Sequence, residues 1–228
     1  MKYEIHRAAE PLGTPRAAMA GSLWRDADVA EVTHYDRPDS GHRPPTVARV
    51  LYDDDFLAVG FRVQDWYVRA VAQKFNDMVC QDSCVEFFVA PDADADASRD
   101  AYFNFEINCG ATMLLYRCPS STEAAHGTGR MHLDDADGEL LRSVASLPKV
   151  IETEIVGPTD WSVEFHVPWT LFEKHFGVQR PGPGSVWRGN FYKCGDHTSH
   201  PHWGSWAPMA TPKPGFHQPA YFQPLQFT

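Results

Sequence analysis

An antiparallel β-sandwich of jelly-roll type, all-β apart from one short helix, is the fold predicted from the sequence. Eighteen prolines and sixteen glycines are spread from Pro11 to Pro224 and leave little room for long helices. Between these breaks lie short segments rich in β-branched and aromatic residues, enough of them for two packed sheets. A chain of 228 residues with 43% hydrophobic content can build one substantial core, which excludes disorder along its length.

In order, residues 46–53 and 56–64 read as a hairpin turning at Asp53-Asp54-Asp55. Strands are further predicted at 83–90, 101–109, 111–117, 150–156, 161–167, 186–194 and 221–227. The one helix is predicted at 169–176, where Pro168 precedes a run with apolar groups at helical spacing and Gly177 ends it. Asp92-Ala93-Asp94-Ala95-Asp96 reads as a solvated connection, because a calcium loop of the helix–loop–helix kind requires a glycine and a distal glutamate that are missing. Residues 119–139, rich in Ser, Thr, Gly and Asp, read as a long surface excursion. No repeat or composition shift marks a boundary, so residues 1–228 are expected to form a single domain.

Thirty acidic against twenty basic residues give a formal charge of −10, which repels a phosphate backbone or an anionic bilayer and argues against nucleic-acid and membrane partners. The amino-terminal residues carry charges where a secretory signal places its apolar stretch, so the chain is read as cytoplasmic or already stripped of its signal. Five scattered cysteines do not resemble a disulfide framework, and reduced thiols are expected. No phosphate-binding glycine loop and no nucleophile elbow are present.

The candidate site follows from strand alternation. Across 101–109, Phe103, Phe105 and Ile107 face one way while Tyr102, Asn104, Glu106 and Asn108 face the other. Asn and Glu are poor strand formers, so such a row suggests a surface that holds a polar ligand, with a plain solvent face as the alternative. Glu86, Glu164 with His166, and Asn190 with Tyr192 alternate in the same way on other strands. If these rows share one sheet, carboxylates, amides and a phenol converge, as a sugar's hydroxyls require. Indole rings supply the apolar platform for its C–H face. Of the seven tryptophans, Trp24, Trp161, Trp169 and Trp187 lie in apolar patterns and are expected in the core, whereas Trp66, Trp203 and Trp206 are candidate platform rings.

Two catalytic alternatives remain beside binding. Paired carboxylates drawn from Glu86, Glu106 and Glu164 would suit a glycoside hydrolase. Cys194, His197, His200 and His202 would suit a metal-dependent enzyme, although their spacing matches no common site. Cys80 and Cys84 read as packed thiols flanking a strand.

Three stretches together resemble the carbohydrate-binding module family 9-like domains: Asp82-Ser83-Cys84-Val85-Glu86-Phe87-Phe88-Val89, Tyr102-Phe103-Asn104-Phe105-Glu106-Ile107-Asn108, and Asn190-Phe191-Tyr192-Lys193-Cys194-Gly195-Asp196. The likeness continues through Ser205-Trp206-Ala207-Pro208, Phe216-His217 and Tyr221-Phe222 and spans most of the chain. It implies a β-sandwich that binds glycans without catalysis, often at a chain end, beside glycoside hydrolases in polysaccharide breakdown. No cofactor is required, and structural calcium occurs in some members. Glu86 matches the family's ligand-binding glutamate and Asn108 an asparagine that ends the following strand. Glu106 stands where better-known members carry arginine, and Cys80 where they carry a tryptophan of a two-ring clamp. Trp66 or Trp203 would then replace that wall, facing Trp206. The expected ligand-binding set is Glu86, Asn104, Glu106, Asn108, Trp66, Trp203 and Trp206. No catalytic or metal residue is assigned, and the expected partners are a mono- or oligosaccharide and a glycoside hydrolase.

Overall fold

The apolar runs pair into one curled sheet that closes over itself as two layers. The computed structural model describes residues 1–19, 21–35, 40–92, 100–210 and 215–228. Its strands are β1 (Tyr3–Arg7), β2 (Ala30–Val32), β3 (Thr46–Tyr52), β4 (Phe56–Ala70), β5 (Cys84–Ala90), β6 (Tyr102–Asn108), β7 (Met113–Cys118), β8 (Met131–His132), β9 (Arg142–Ala145), β10 (Ile151–Pro168), β11 (Val186–Cys194), β12 (Trp203–Ser205) and β13 (Gln223–Phe227). The helices are α1 (Ser121–Ala125), α2 (Asp135–Gly138) and α3 (Trp169–Phe176). The acidic connection at 92–96 lies outside the described residues except for Asp92.

Strand order is β8-β7-β6-β5-β11-β13-β1-β3-β4-β10-β9, with β12 beside β11 and β2 beside β3. Most pairs are antiparallel, as predicted, but β1 runs parallel to both neighbours. Tyr3 to Ile5 pair with β13, and His6 and Arg7 pair with β3. The strand therefore passes from one layer to the other, and the sheet is mixed. No tight turn joins β1 to either partner, so local sequence cannot fix its direction.

Alternation fills the space between the layers. Phe87, Phe105 and Phe191 project from one layer and Phe61 and Phe165 from the other, with Phe61–Phe191 and Phe105–Phe165 centroids 6.2 and 5.6 Å apart. Edge and offset ring contacts of this kind add about 0.5–1.5 kcal/mol each beyond area burial. At one end α3 buries Trp169, Leu171 and Phe172, and Phe172 lies 4.9 Å from the Trp187 ring. Gly177 ends the helix at φ +64°, a left-handed conformation that favours glycine.

Two predicted strands are one. Segments 150–156 and 161–167 form the single strand β10, because register shifts around Gly157-Pro158 absorb the break as a bulge on the strand paired to β4. The excursion at 119–139 is likewise more ordered than expected, so among the described residues α3 is one of three α-helices rather than the only one. In α1, Ser120 and Glu123 form a reciprocal capping box. In α2, the buried Asp137 accepts hydrogen bonds from Lys174 Nζ at 2.6 Å and His175 Nε2 at 2.8 Å, tying the excursion to α3.

Both outer faces are covered as well. Leu12, Met19 and Trp24 pack over Leu51 and Ala58 of the second layer. Phe216 and Phe222 pack over Phe88, Tyr102 and Tyr192 of the first. Every residue of β5 and β6 is therefore buried, including the polar row.

Candidate functional site

Glu86 lies opposite Glu106 across β5 and β6, and opposite Tyr192 across β5 and β11. The carboxyl side chains share the outer face of the first layer, where the covering segments leave a cleft of about 200 Å³. Glu86, Glu106, Leu114 and Cys194 line it from the sheet. Trp203, Tyr116, Arg130 and Asp196 are among the residues at its walls.

Neighbours fix each wall. Trp203 Nε1 donates to Asp196 Oδ1 at 2.6 Å, while the Asp196 amide donates to Cys80 O at 2.9 Å. The Arg130 guanidinium sits over the Tyr116 ring at 5.3 Å and donates to His217 Nε2 at 2.8 Å. Phe216 stacks on Tyr192 at 4.2 Å. The cleft thus brings two carboxyls together with aromatic rings and one guanidinium.

The two carboxyls are electrostatically conspicuous. Burial, then the neighbouring Glu106, push Glu86 well above the usual carboxylate range. Burial, then Asp196, push Glu106 up to about 7, against the opposing influence of Arg130 and Asn104. Glu86 Oε1 accepts from the Cys194 thiol at 3.0 Å, and Glu106 Oε1 accepts from Asn104 Nδ2 at 2.7 Å. Glu106 Oε2 is buried and has no hydrogen-bond partner. A buried acceptor left unsatisfied costs about 1–3 kcal/mol, which a ligand hydroxyl can restore.

The expected site residues divide. Glu86, Glu106 and Trp203 line the cleft. Asn104 lies beneath it, fully buried, donating to Glu106 and accepting from the Tyr116 amide at 2.8 Å. Asn108 is placed elsewhere: its Oδ1 accepts from the Gly110 and Thr112 amides, and its Nδ2 donates to Asp82 at 2.9 Å. It closes the β6–β7 turn. Trp66 is 46% exposed on β4 and is not among the cleft-lining residues. Trp206 is a correction to the platform reading: it is 5% exposed and packs edge-on against Tyr3 and Phe191. Its segment resembles a loop, but β12 adds to β11 and turns the next residue inward.

The polar rows do not all share one face. Glu164 and His166 lie on β10 in the other layer, where Glu164 accepts from the Arg16 and Ala17 amides and from His166 Nε2. Asn190 is buried and spends its amide on Ala207. Glu164 is thereby removed from any carboxylate pair with Glu86 or Glu106. The histidine-rich loop does not converge either. His202 is buried beside Lys193, and His200 stacks on Tyr67 at 3.6 Å. Among the described residues, no potential metal-ligand group contains two of Cys194, His197, His200 and His202.

Tyr116, Arg130 and Asp196 are among the cleft residues outside the expected set. Tyr116 follows from alternation on its own strand, Arg130 carries no periodic signal inside the excursion, and Asp196 lies in a motif stretch without an assigned role. Calcium does not fit the two ligand groups among the described residues, since Cys84, Glu86 and Cys194 offer two sulfurs, and Glu4, His6 and Asp28 include an imidazole. Calcium takes six to eight oxygens.

A two-layer β-sandwich whose cleft is lined by two carboxyls and aromatic rings has the layout of a domain that binds a small polar ligand. The chain belongs to carbohydrate-binding family 9, whose model matches residues 23–227. A candidate carbohydrate-binding protein from Bacteroides uniformis ATCC 8492 is similar over 100% of this chain and 99% of its own, at 27% identity and TM-score 0.85. A family 9 carbohydrate-binding module from Caldicellulosiruptor kristjanssonii, solved with cellotriose, shares the fold at TM-score 0.63 and 11% identity, over 100% and 93% of the two chains. The structure solved with glucose gives 0.61 and 11%, over 100% and 96%. No curated protein matches the chain.

Proposed function

We propose that this cleft binds the terminal unit of a glycan and that the domain supports polysaccharide breakdown beside a glycoside hydrolase. The observation that carries the reading is Glu106 Oε2, a buried acceptor without a partner on a residue that lines the same cleft as Trp203 and Tyr116. A pyranose brings hydroxyl donors to the carboxyls and a C–H face to a ring. The small cleft volume favours a single ring over a run of internal units, hence a chain end. The glucose and cellotriose complexes of the structural neighbours favour gluco-configured ligands. Catalysis is the weaker reading, because Glu86 and Glu106 are cross-strand neighbours on one floor, whereas a glycosidase needs carboxyls flanking the scissile bond.

Titration calorimetry with glucose, cellobiose and cellotriose tests this. Binding is expected to weaken about 10-fold or more in Trp203→Ala and Glu106→Gln. Borohydride-reduced cellobiose distinguishes the reducing from the non-reducing end. Absence of binding to all three sugars, or affinity unchanged in both variants, refutes the assignment.

A further inference from the structure

We propose that Cys84, Cys194 and Glu86 form a binding site for one thiophilic divalent cation of the zinc type at the floor of the cleft. This goes beyond carbohydrate binding and does not depend on it. Cys84 and Cys194 are directly opposed across β5 and β11, and Glu86 lies two residues along β5 on the same face. One ligand atom from each lies within 4.8 Å of the other two, and Cys194 Sγ is 3.0 Å from Glu86 Oε1. Ligand atoms around tetrahedral zinc are separated by about 3.3–3.8 Å, as follows from bonds of about 2.0–2.3 Å.

The chemistry of the set selects the ion. Two thiolates and one carboxylate favour zinc and its soft neighbours over calcium or magnesium. All three residues are buried, at 0%, 1% and 3% exposure, and all are held on strands, so the positions are set by the sheet rather than by a mobile loop. Glu86 and Cys194 also line the cleft, which provides an entry path and room for a water as fourth ligand. Three protein ligands and one open position is the arrangement of a zinc that retains a water. Binding displaces the thiol protons of Cys84 and Cys194.

The test uses the full chain, reduced and stripped of metal by a chelator, titrated with Co²⁺ and then Zn²⁺. One equivalent of Co²⁺ is expected to give the intense visible bands of tetrahedral coordination and a thiolate-to-cobalt charge-transfer band, both erased by Zn²⁺. Cys84→Ser and Cys194→Ser are expected to lower affinity at least about 100-fold. Cys118→Ser, on β7 beside Tyr102, is expected to leave it unchanged. In the unaltered protein, Zn²⁺ should slow alkylation of Cys84 and Cys194 but not of Cys118, read by mass spectrometry, a result independent of how the variants fold. Absence of the cobalt bands, octahedral bands alone, or binding that persists in both serine variants overturns the proposal. Sugar titration of the zinc-free protein is a separate readout, so failure of the metal site and failure of the carbohydrate reading are distinguishable.

Discussion

Lys193 Nζ lies 2.8 Å from His202 Nε2 and 3.4 Å from Asp65 Oδ2, and it is fully buried between the two layers. His202 directly precedes Trp203, so this interior cation anchors the strand that carries a wall of the cleft. Burial, the largest influence, would raise the Asp65 carboxyl, yet the Lys193 charge and the His42 hydrogen bond hold it well below the usual range. Removing Lys193 leaves Asp65 its His42 and Trp66 amide hydrogen bonds but takes away its buried cation, at about 3–5 kcal/mol. Lys193→Met is therefore expected to destabilise the fold by about that amount, measured by denaturant unfolding.

The same contact gives a pH signature. Burial, then the Lys193 charge, push His202 down to about 2 from the ordinary 6.5. The folded state keeps this imidazole neutral, while the unfolded chain takes up a proton below about 6.5, so its contribution to stability is full above that pH and falls as the medium is acidified. The stability advantage of the native protein over His202→Gln is expected to shrink by up to about 1.4 kcal/mol per pH unit between 6.5 and 4.5. Taking the difference removes the opposite contribution of Glu86 and Glu106. A pH-independent difference would contradict the neutral-imidazole assignment.

Trp203 and Trp206 are expected to separate affinity from stability. Trp206→Ala removes a ring packed on Tyr3 and Phe191 and should cost about 3–5 kcal/mol of unfolding free energy. Trp203→Ala, at a half-buried cleft wall, should mainly weaken sugar binding, whereas Trp66→Ala should change neither quantity by more than about 0.5 kcal/mol. Thermal unfolding and calorimetry on the three variants check the ordering.

Asp82 and Asn108 form a scaffold. Asp82 Oδ2 accepts from the Val71 and Ala72 amides and from Asn108 Nδ2, each at 2.9 Å. Asp82→Ala removes the acceptor of the buried Asn108 amide and of the partly exposed Val71 and Ala72 amides, and is expected to cost about 1–3 kcal/mol. Asn108→Ala is expected to destabilise the fold, with any residual folded protein binding sugar normally. Selective loss of affinity at unchanged stability would return Asn108 to the ligand site.

Much of the floor of the cleft was legible in the sequence because strand alternation is strict. Phe103, Phe105 and Ile107 enter the core, and the opposite row carries Glu106. What alternation could not show is that this row is roofed by residues more than a hundred positions away, such as Phe216 and Phe222, which turns a solvent face into a cleft. Alternation cannot separate an Asn108 amide that satisfies a turn from one that meets a ligand, and the glycine and prolines beside Trp206 imitate a loop although its ring packs inward. The direction of β1 and the placement of Arg130 depend on long-range closure, which leaves no periodic trace.

A crystal of the protein soaked with cellobiose tests the central claim most directly. The account predicts a sugar ring bounded by Trp203 and Tyr116, with a hydroxyl within about 3 Å of Glu106 Oε2. Sugar bound instead at the exposed Trp66, or a cleft that stays empty at saturating ligand, would contradict it.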